Sequence, residues 1–255
     1  MYPLAIVTEY DGTAFVGFQI QSNGRSVQEV LNGALSKLYK TEINITGCSR
    51  TDSGVHARGH VSSLNVPFYI PEEKIPLAVN QFLPDDVCVR KAFYTKEGFS
   101  ARFDSLGKRY IYRIYTGDVR SPLHARYSYF TSYRPDMDLM REAASVMVGE
   151  HDFAAFCASG SSAVTTVRKI NSVDVRYSPC DPDLIEIEVI GEAFLYNMVR
   201  IMAGTILYAG IGKISKEDIK DALTSPSRAK TGKTLPPQGL TLEEVYYGDD
   251  IRAQS

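Results

Sequence analysis

The run Ser49-Arg50-Thr51-Asp52-Ser53-Gly54-Val55-His56-Ala57-Arg58 gathers a carboxylate, two guanidiniums, an imidazole and three hydroxyls directly after an apolar stretch. Junctions between a strand and a loop are where scaffolds present reactive groups. Asp52 is the group of interest, because a carboxylate can stabilise or trap a developing positive charge or move a proton. Gly54, two residues on, permits a tight turn that pushes the carboxylate outward. An Asp ahead of a Gly also commonly caps its own turn, and the local sequence leaves both readings open. Arg200 bears on the choice, since it falls inside the apolar run from Phe194 to Tyr208, which predicts a buried helix. A buried guanidinium is costly without an anionic partner. If that partner is Asp52, opposite charge holds the carboxylate ionised in a dry cleft. Another acidic partner, or an Arg snorkelling from a frayed helix, satisfies the same requirement.

Other reactive side chains carry less. His56 and His60 are four apart and could share a helix face, but Gly59 interrupts and no acid takes the second position of a zinc-protease motif. Cys48, Cys88, Cys157 and Cys180 are far apart, with no pair at knuckle or redox spacing, and read as reduced thiols. No metal site and no cofactor is expected.

Charge is uneven along the chain. The formal net charge of -2 argues against a nonspecific polyanion binder. Yet Arg90 to Arg134 holds ten basic residues against three acidic ones, together with eleven of the 27 aromatic residues. Basic groups hold phosphates and aromatic faces stack on unpaired bases, so this interleaving points to RNA or single-stranded nucleic acid. A solvated amphipathic sheet rich in Tyr, a good strand former, has the same composition.

The elements that must position these groups alternate in type. Leu4 to Glu9 predicts a strand that ends at the Asp11-Gly12 turn. Ser26 and Glu29 read as a capping box opening a helix with Val27, Val30, Leu31, Ala34, Leu35 and Leu38 on one face. Strands are expected around Ile43 and Ile45, over Val61 to Val66 and over Val87 to Tyr94, with a short helix from Glu72 to Phe82. Further on, Arg109 to Tyr115 predicts a strand and Met137 to Val148 a helix. A strand pair, Val164 to Arg176 and Leu184 to Ile190, precedes the apolar helix Phe194 to Tyr208, and Ser215 to Leu223 is a short capped helix. Ser225 to Gln238 is a long loop, which in a folded domain is usually functional or mobile. With 255 residues the prior is one large domain or two modest ones. The weakest joint lies near Phe103 to Gly107, dividing an N-terminal half, 1–104, from a C-terminal half, 105–255. The order of elements is α+β or α/β. The longest apolar run, Phe194 to Ile211, carries Asn197 and Arg200, so no membrane span is expected. The N-terminus lacks the basic start of a leader, which makes the cytoplasm the default location.

Five blocks occur in order: Tyr10-Asp11-Gly12-Thr13 with Phe15-Val16-Gly17-Phe18-Gln19; Arg50 to Ala57; Ala101-Arg102-Phe103 with Lys108-Arg109-Tyr110-Ile111-Tyr112; Ala193 to Arg200; and Gly239-Leu240-Thr241-Leu242. Together they resemble the bacterial tRNA pseudouridine synthase A family over essentially the whole chain. The resemblance implies a cofactor-free isomerase converting uridine to pseudouridine at positions 38 to 40 of the tRNA anticodon arm. It implies an α+β homodimer whose subunits have two similar-sized halves, mainly antiparallel sheets joined across a central basic cleft, and helices on the outer faces. It also assigns Asp52 as the catalytic residue, Tyr110 as a contact to the target uridine, Arg200 as the ion-pair partner of Asp52 and Leu240 as part of the base pocket. Three positions depart from the family's usual pattern: Phe18 for Trp, Ser49 for Gly and His60 for Gln. None removes a group assigned to catalysis.

The chemistry suits these residues. Breaking the bond from N1 to C1′ builds positive charge at C1′, for which a carboxylate is the apt partner. An isomerase must keep its base and exclude water, so one Asp in an apolar pocket fits better than a dyad. The target nucleotide must be flipped out of its stack first. Arg50, Arg58, Arg102, Lys108 and Arg109 are the candidates for holding the displaced RNA backbone. Two other classes compete: a noncatalytic protein that binds structured RNA, with Asp52 structural, and a nucleoside hydrolase, which would release free uracil.

Overall fold

Hydrogen bonds decide how the chain divides. In the computed structural model, which describes residues 1–161 and 163–253, Met1–Leu106 and the residues from Leu242 on form one unit and Gly107–Thr241 the other. The sequence-based division gave the C-terminal residues to the second half. They belong to the first because their backbone is bonded there: the Leu106 N–H donates to the Tyr246 carbonyl (2.8 Å), Lys96 N–H to Ile251 and Ala253 N–H to Tyr94.

The first unit is built on strands β1 (Tyr2–Tyr10), β3 (His56–Val66) and β4 (Val87–Tyr94), with β1 central and antiparallel to both neighbours. A two-residue strand β2 (Thr46–Gly47) extends β3. Helix α1 (Val27–Tyr39) buries Val27, Leu31, Ala34, Leu35 and Tyr39, while Val30 and Leu38 lie at the edge of the stripe, half-buried. Ser26 Oγ accepts from the Glu29 N–H, as an N-cap should. The reciprocal capping box forms at the short helix α5 (Lys216–Thr224), between Ser215 and Asp218. The short helix α2 (Lys74–Val79) is extended by one 3-10 turn.

Two expectations shift here. Ile43 and Ile45 are buried but precede the strand, because their N–H groups are taken by side chains of α1, Ser36 Oγ and Asn32 Oδ1. The reactive run is not wholly a loop, since β3 begins at His56. The two histidines therefore lie on a strand, where a spacing of four also puts them on one face.

The second unit has strands β5 (Gly107–Tyr115), β7 (Gly149–Asp152), β8 (Val167–Ser178) and β9 (Asp181–Gly191) in the antiparallel order β5-β9-β8-β7, with a short β6 (Tyr129–Phe130) parallel to β5. The six-residue link expected between β8 and β9 is a tight turn at Pro179-Cys180, and Pro182 lies within β9. Helix α3 (Met137–Val146) packs on β8 and on α4 (Met198–Gly210). The fold is thus α+β with mainly antiparallel pairing, as the order of elements allowed. No helix among the described residues is long and apolar enough to cross a membrane.

Cross-strand charge pairs account for part of the basic segment. Arg113 on β5 faces Glu186 on β9 at 3.2 Å, Arg176 on β8 bonds Glu186 (3.1 Å) and Glu188 (3.4 Å), and Arg109 reaches Glu188 (3.3 Å). Register sets these pairs: Arg113 and Arg176 each lie directly opposite Glu186.

Candidate active site

Asp52 is held by the connection that leaves β1. The Val55 N–H donates to the Asp52 carbonyl (3.1 Å), closing the turn through the main chain, and Gly54 adopts the left-handed φ of +78° that this turn needs. The segment from Tyr10 to Phe18 then grips the turn. Gly17 forms a bridge with Asp52, the Phe18 N–H donates to the Thr51 carbonyl (3.1 Å), and the Gly54 N–H and Ser53 Oγ–H both donate to the Phe15 carbonyl. The buried hydroxyls of Tyr10 and Thr51 share a hydrogen bond of 2.8 Å.

This grip leaves no room for side chains on its glycines. A Cβ on Gly17, whose φ is +122°, would lie 2.7 Å from the Thr51 carbonyl oxygen, and one on Gly12 would lie 2.1 Å from that of Val55. His56, 3% exposed, sets Nδ1 between the Gly12 N–H (3.0 Å) and the Asp11 carboxylate (3.2 Å), tying the start of the clamp to β3. Asp52 itself is half-buried, and Arg50 and Arg58 on either side are exposed. The first two sequence blocks are therefore one structural object: a turn and the clamp that shapes it.

The second unit holds the other candidates. Tyr110 and Tyr112 are two apart on β5, hence on one face, and both are buried. The Tyr110 ring meets Phe194 edge-on at 5.1 Å. Tyr112 donates its hydroxyl to the Pro236 carbonyl (2.7 Å), and its ring fills the space where a Gly239 Cβ would be. Burial pushes the Tyr112 hydroxyl far above the ordinary phenol range, so it remains a donor at every working pH. Tyr112 thus fixes the turn that delivers Leu240, which is 5% exposed at the start of β10 (Leu240–Tyr246). Sequence reasoning gave Tyr112 no role, although the alternation of Tyr110 and Tyr112 was the available signal.

Arg200 differs from its expected setting. α4 begins at Met198, so Arg200 is in the first turn of the helix and is half-buried rather than interior. Asn197, with φ of +59°, turns the chain and ends the apolar run as a helix there. A cation in a first turn faces the positive end of the helix dipole and needs acceptors. Two are at hand: Nε donates to the Leu235 carbonyl (2.7 Å) and a terminal nitrogen donates to Asn197 Oδ1 (2.5 Å). The long loop from Ser225 to Gln238 is in consequence a strap laid along α4. The Gly232 N–H donates to Thr205 Oγ1 (2.9 Å) and the Leu235 N–H to the Arg200 carbonyl (3.3 Å).

The RNA-backbone candidates fall into two groups. Arg50, Arg58 and Arg102 are exposed; Arg58 is 3.7 Å from Glu243, and Arg102 lies over the exposed Phe103 ring. Lys108 is buried and Arg109 is paired with Glu188, so neither is an open surface cation. Both sit on β5, on opposite faces of the strand. Among the described residues no cluster of three or more His, Cys, Asp or Glu side chains could hold a metal ion.

Comparison with known proteins identifies relatives over most of the chain. The family described as tRNA pseudouridine synthase matches residues 6–104 and 143–248. A tRNA pseudouridine synthase A from Thermoanaerobacter sp. (strain X514) is 43% identical over 247 residues, covering 97% of this chain and 100% of that protein. Its counterpart in Bacillus subtilis (strain 168) is 42% identical over 246 residues, with coverage of 96% and 98%. Among solved structures, a chain of a Cbf5-Nop10-Gar1 complex aligns at a TM-score of 0.39 and 14% identity over 94% of this chain and 48% of its own, too loose a likeness to bear on function.

Proposed function

Because this chain belongs to the tRNA pseudouridine synthase family, we propose that it isomerises uridines 38, 39 or 40 in the anticodon arm of tRNA, with Asp52 as the catalytic residue. The bond from N1 to C1′ breaks, the uracil turns, C5 joins C1′, and the C5 proton leaves to solvent while N1 regains one. Nothing is oxidised and no group is transferred, so the reaction calls for no cofactor. The supporting observation is the Asp52 turn, whose shape is set by its own main chain and by the clamp from Tyr10 to Phe18. A scaffold that rigid holds a reactive group within the tolerance that catalysis demands.

In this reading the carboxylate of Asp52 meets the charge that develops as the glycosidic bond opens. Tyr110 meets the base and Leu240 lines its pocket. Arg50, Arg58 and Arg102, exposed and cationic, hold the displaced backbone. The enzyme works beside its tRNA in the cytoplasm as a homodimer. Light scattering at working concentration should accordingly give twice the chain mass, and a fully active monomer would remove the dimer from the reading.

The deciding experiment uses tRNA transcripts carrying tritium at uridine C5. Release of tritium to water without free uracil is the expected result. Free uracil would indicate a hydrolase, and tRNA binding with no release would indicate a noncatalytic RNA-binding protein.

A further inference from the structure

His60 touches both Phe18 and Ser49 next to the Asp52 turn. His60 is fully buried on β3, and its ring stacks on Phe18 with centroids 3.9 Å apart and planes 20° from parallel. Its Nε2 lies 3.0 Å from the Ser49 carbonyl oxygen. A carbonyl only accepts, so Nε2 must carry the proton and donate.

The place of this bond in the chain gives it its consequence. Pairing of β2 with β3 runs through Gly47 opposite Ser62 and continues with the Cys48 N–H donating to the Val61 carbonyl (2.8 Å). At Ser49 the chain leaves the strand for the turn, and the carbonyl there meets the His60 side chain in place of a ladder partner. The stack is tightly fitted: a Cβ on Gly47 would lie 2.3 Å from the Phe18 ring and 2.9 Å from that of His60. Phe18 is held in turn by its own N–H to the Thr51 carbonyl. One aromatic pair therefore grips the chain on both sides of Arg50, at Ser49 through the His60 imidazole and at Thr51 through the Phe18 backbone.

We propose that His60 is a positioning residue for the reaction: its Nε2–H, oriented by stacking on Phe18, fixes the Ser49 carbonyl and thereby the path of the chain into Asp52. This rests on the enzyme reading above. Losing the donor strands a carbonyl and lets the entry to the turn drift, and a displacement of about 1 Å at a catalytic group can cost on the order of a hundredfold in rate.

The test compares His60→Met, which keeps bulk without a donor, with His60→Gln, whose amide can donate from a similar distance. Both are assayed by tritium release from C5-labelled tRNA and by binding of the same tRNA. His60→Met should lose about tenfold to a hundredfold in kcat with KM and tRNA affinity within about twofold, and His60→Gln should recover most of the loss. A His60→Met enzyme with kcat within twofold of wild type overturns the proposal, as does a folded His60→Gln enzyme no faster than His60→Met. Long-range proton–nitrogen spectra of the wild-type imidazoles form an arm that needs no variant to be active: the His60 signal should show Nε2 protonated, and an Nδ1–H tautomer overturns the proposal. A wild type that releases no tritium fails the enzyme reading instead, while the spectrum still decides whether the bond to Ser49 exists.

Discussion

Asp52→Asn abolishes tritium release while the protein folds and binds tRNA as before. The substitution removes one charge and replaces one oxygen by an amide of the same shape, and the turn around it is set by main-chain bonds from Gly17, Phe18, Gly54 and Val55. Folding should therefore survive. Turnover should not, because an amide neither balances the positive charge at C1′ nor attacks carbon as a carboxylate does. Removing a residue that carries the chemistry costs upward of about a thousandfold in kcat, whereas affinity for tRNA, set by phosphate contacts elsewhere, should change only a few-fold. Tritium release and equilibrium binding, measured on one preparation of each protein, separate the two quantities. If Asp52→Asn keeps even a tenth of wild-type turnover, Asp52 is structural and the catalytic assignment is wrong.

The largest stability effect is expected at Gly204 in α4, and its sign is opposite to intuition from helix propensity. In an open helix Gly→Ala stabilises by up to about 1 kcal/mol. At Gly204, however, the new Cβ would lie 2.0 Å from the Lys233 carbonyl oxygen, and the facing Gly232 is equally tight, its own Cβ position 2.3 Å from the Gly204 carbonyl. Both partners are backbone, so the strap must lift off the helix. It then loses the bonds from Gly232 to Thr205 and from Leu235 to Arg200. Overpacking of about 1–3 kcal/mol together with two buried hydrogen bonds of about 1 kcal/mol each outweighs the propensity gain, leaving a net loss of about 3 kcal/mol. Gly33 in α1 is the matched control, because nothing lies within 4 Å of its Cβ position. Denaturant melts should show Gly204→Ala destabilised and Gly33→Ala unchanged or slightly stabilised. Turnover of Gly204→Ala should fall as well, since the strap carries the Leu235 carbonyl that accepts from Arg200 Nε. Equal stability of the two variants would show that the strap does not depend on the missing side chain.

The sequence by itself determined the helices α1 to α5 and the strands β1, β3, β4, β5, β8 and β9, but not β2, β6, β7 or β10, because hydrophobic period is a local property: a 3.6-residue stripe from Val27 to Tyr39 can bury only as a helix, and alternation from Gly107 to Tyr115 only as a strand. It also singled out Asp52, Tyr110, Arg200 and Leu240, through the ordered blocks they belong to. The departures arose where distant groups compete for the backbone. Side chains of α1 capture the N–H groups of Ile43 and Ile45, so no strand forms there. Asn197 in a left-handed conformation starts α4 late, which turns an interior Arg200 into a first-turn one that needs carbonyl acceptors. Only the tertiary structure decided that the blocks around Tyr10 and Asp52 form one clamp, that the long loop is a strap on α4, and that His60 meets both Phe18 and Ser49. Each of these joins groups that periodicity cannot relate, because a hydrogen bond or a missing Cβ acts across space between residues whose spacing in the chain carries no signal.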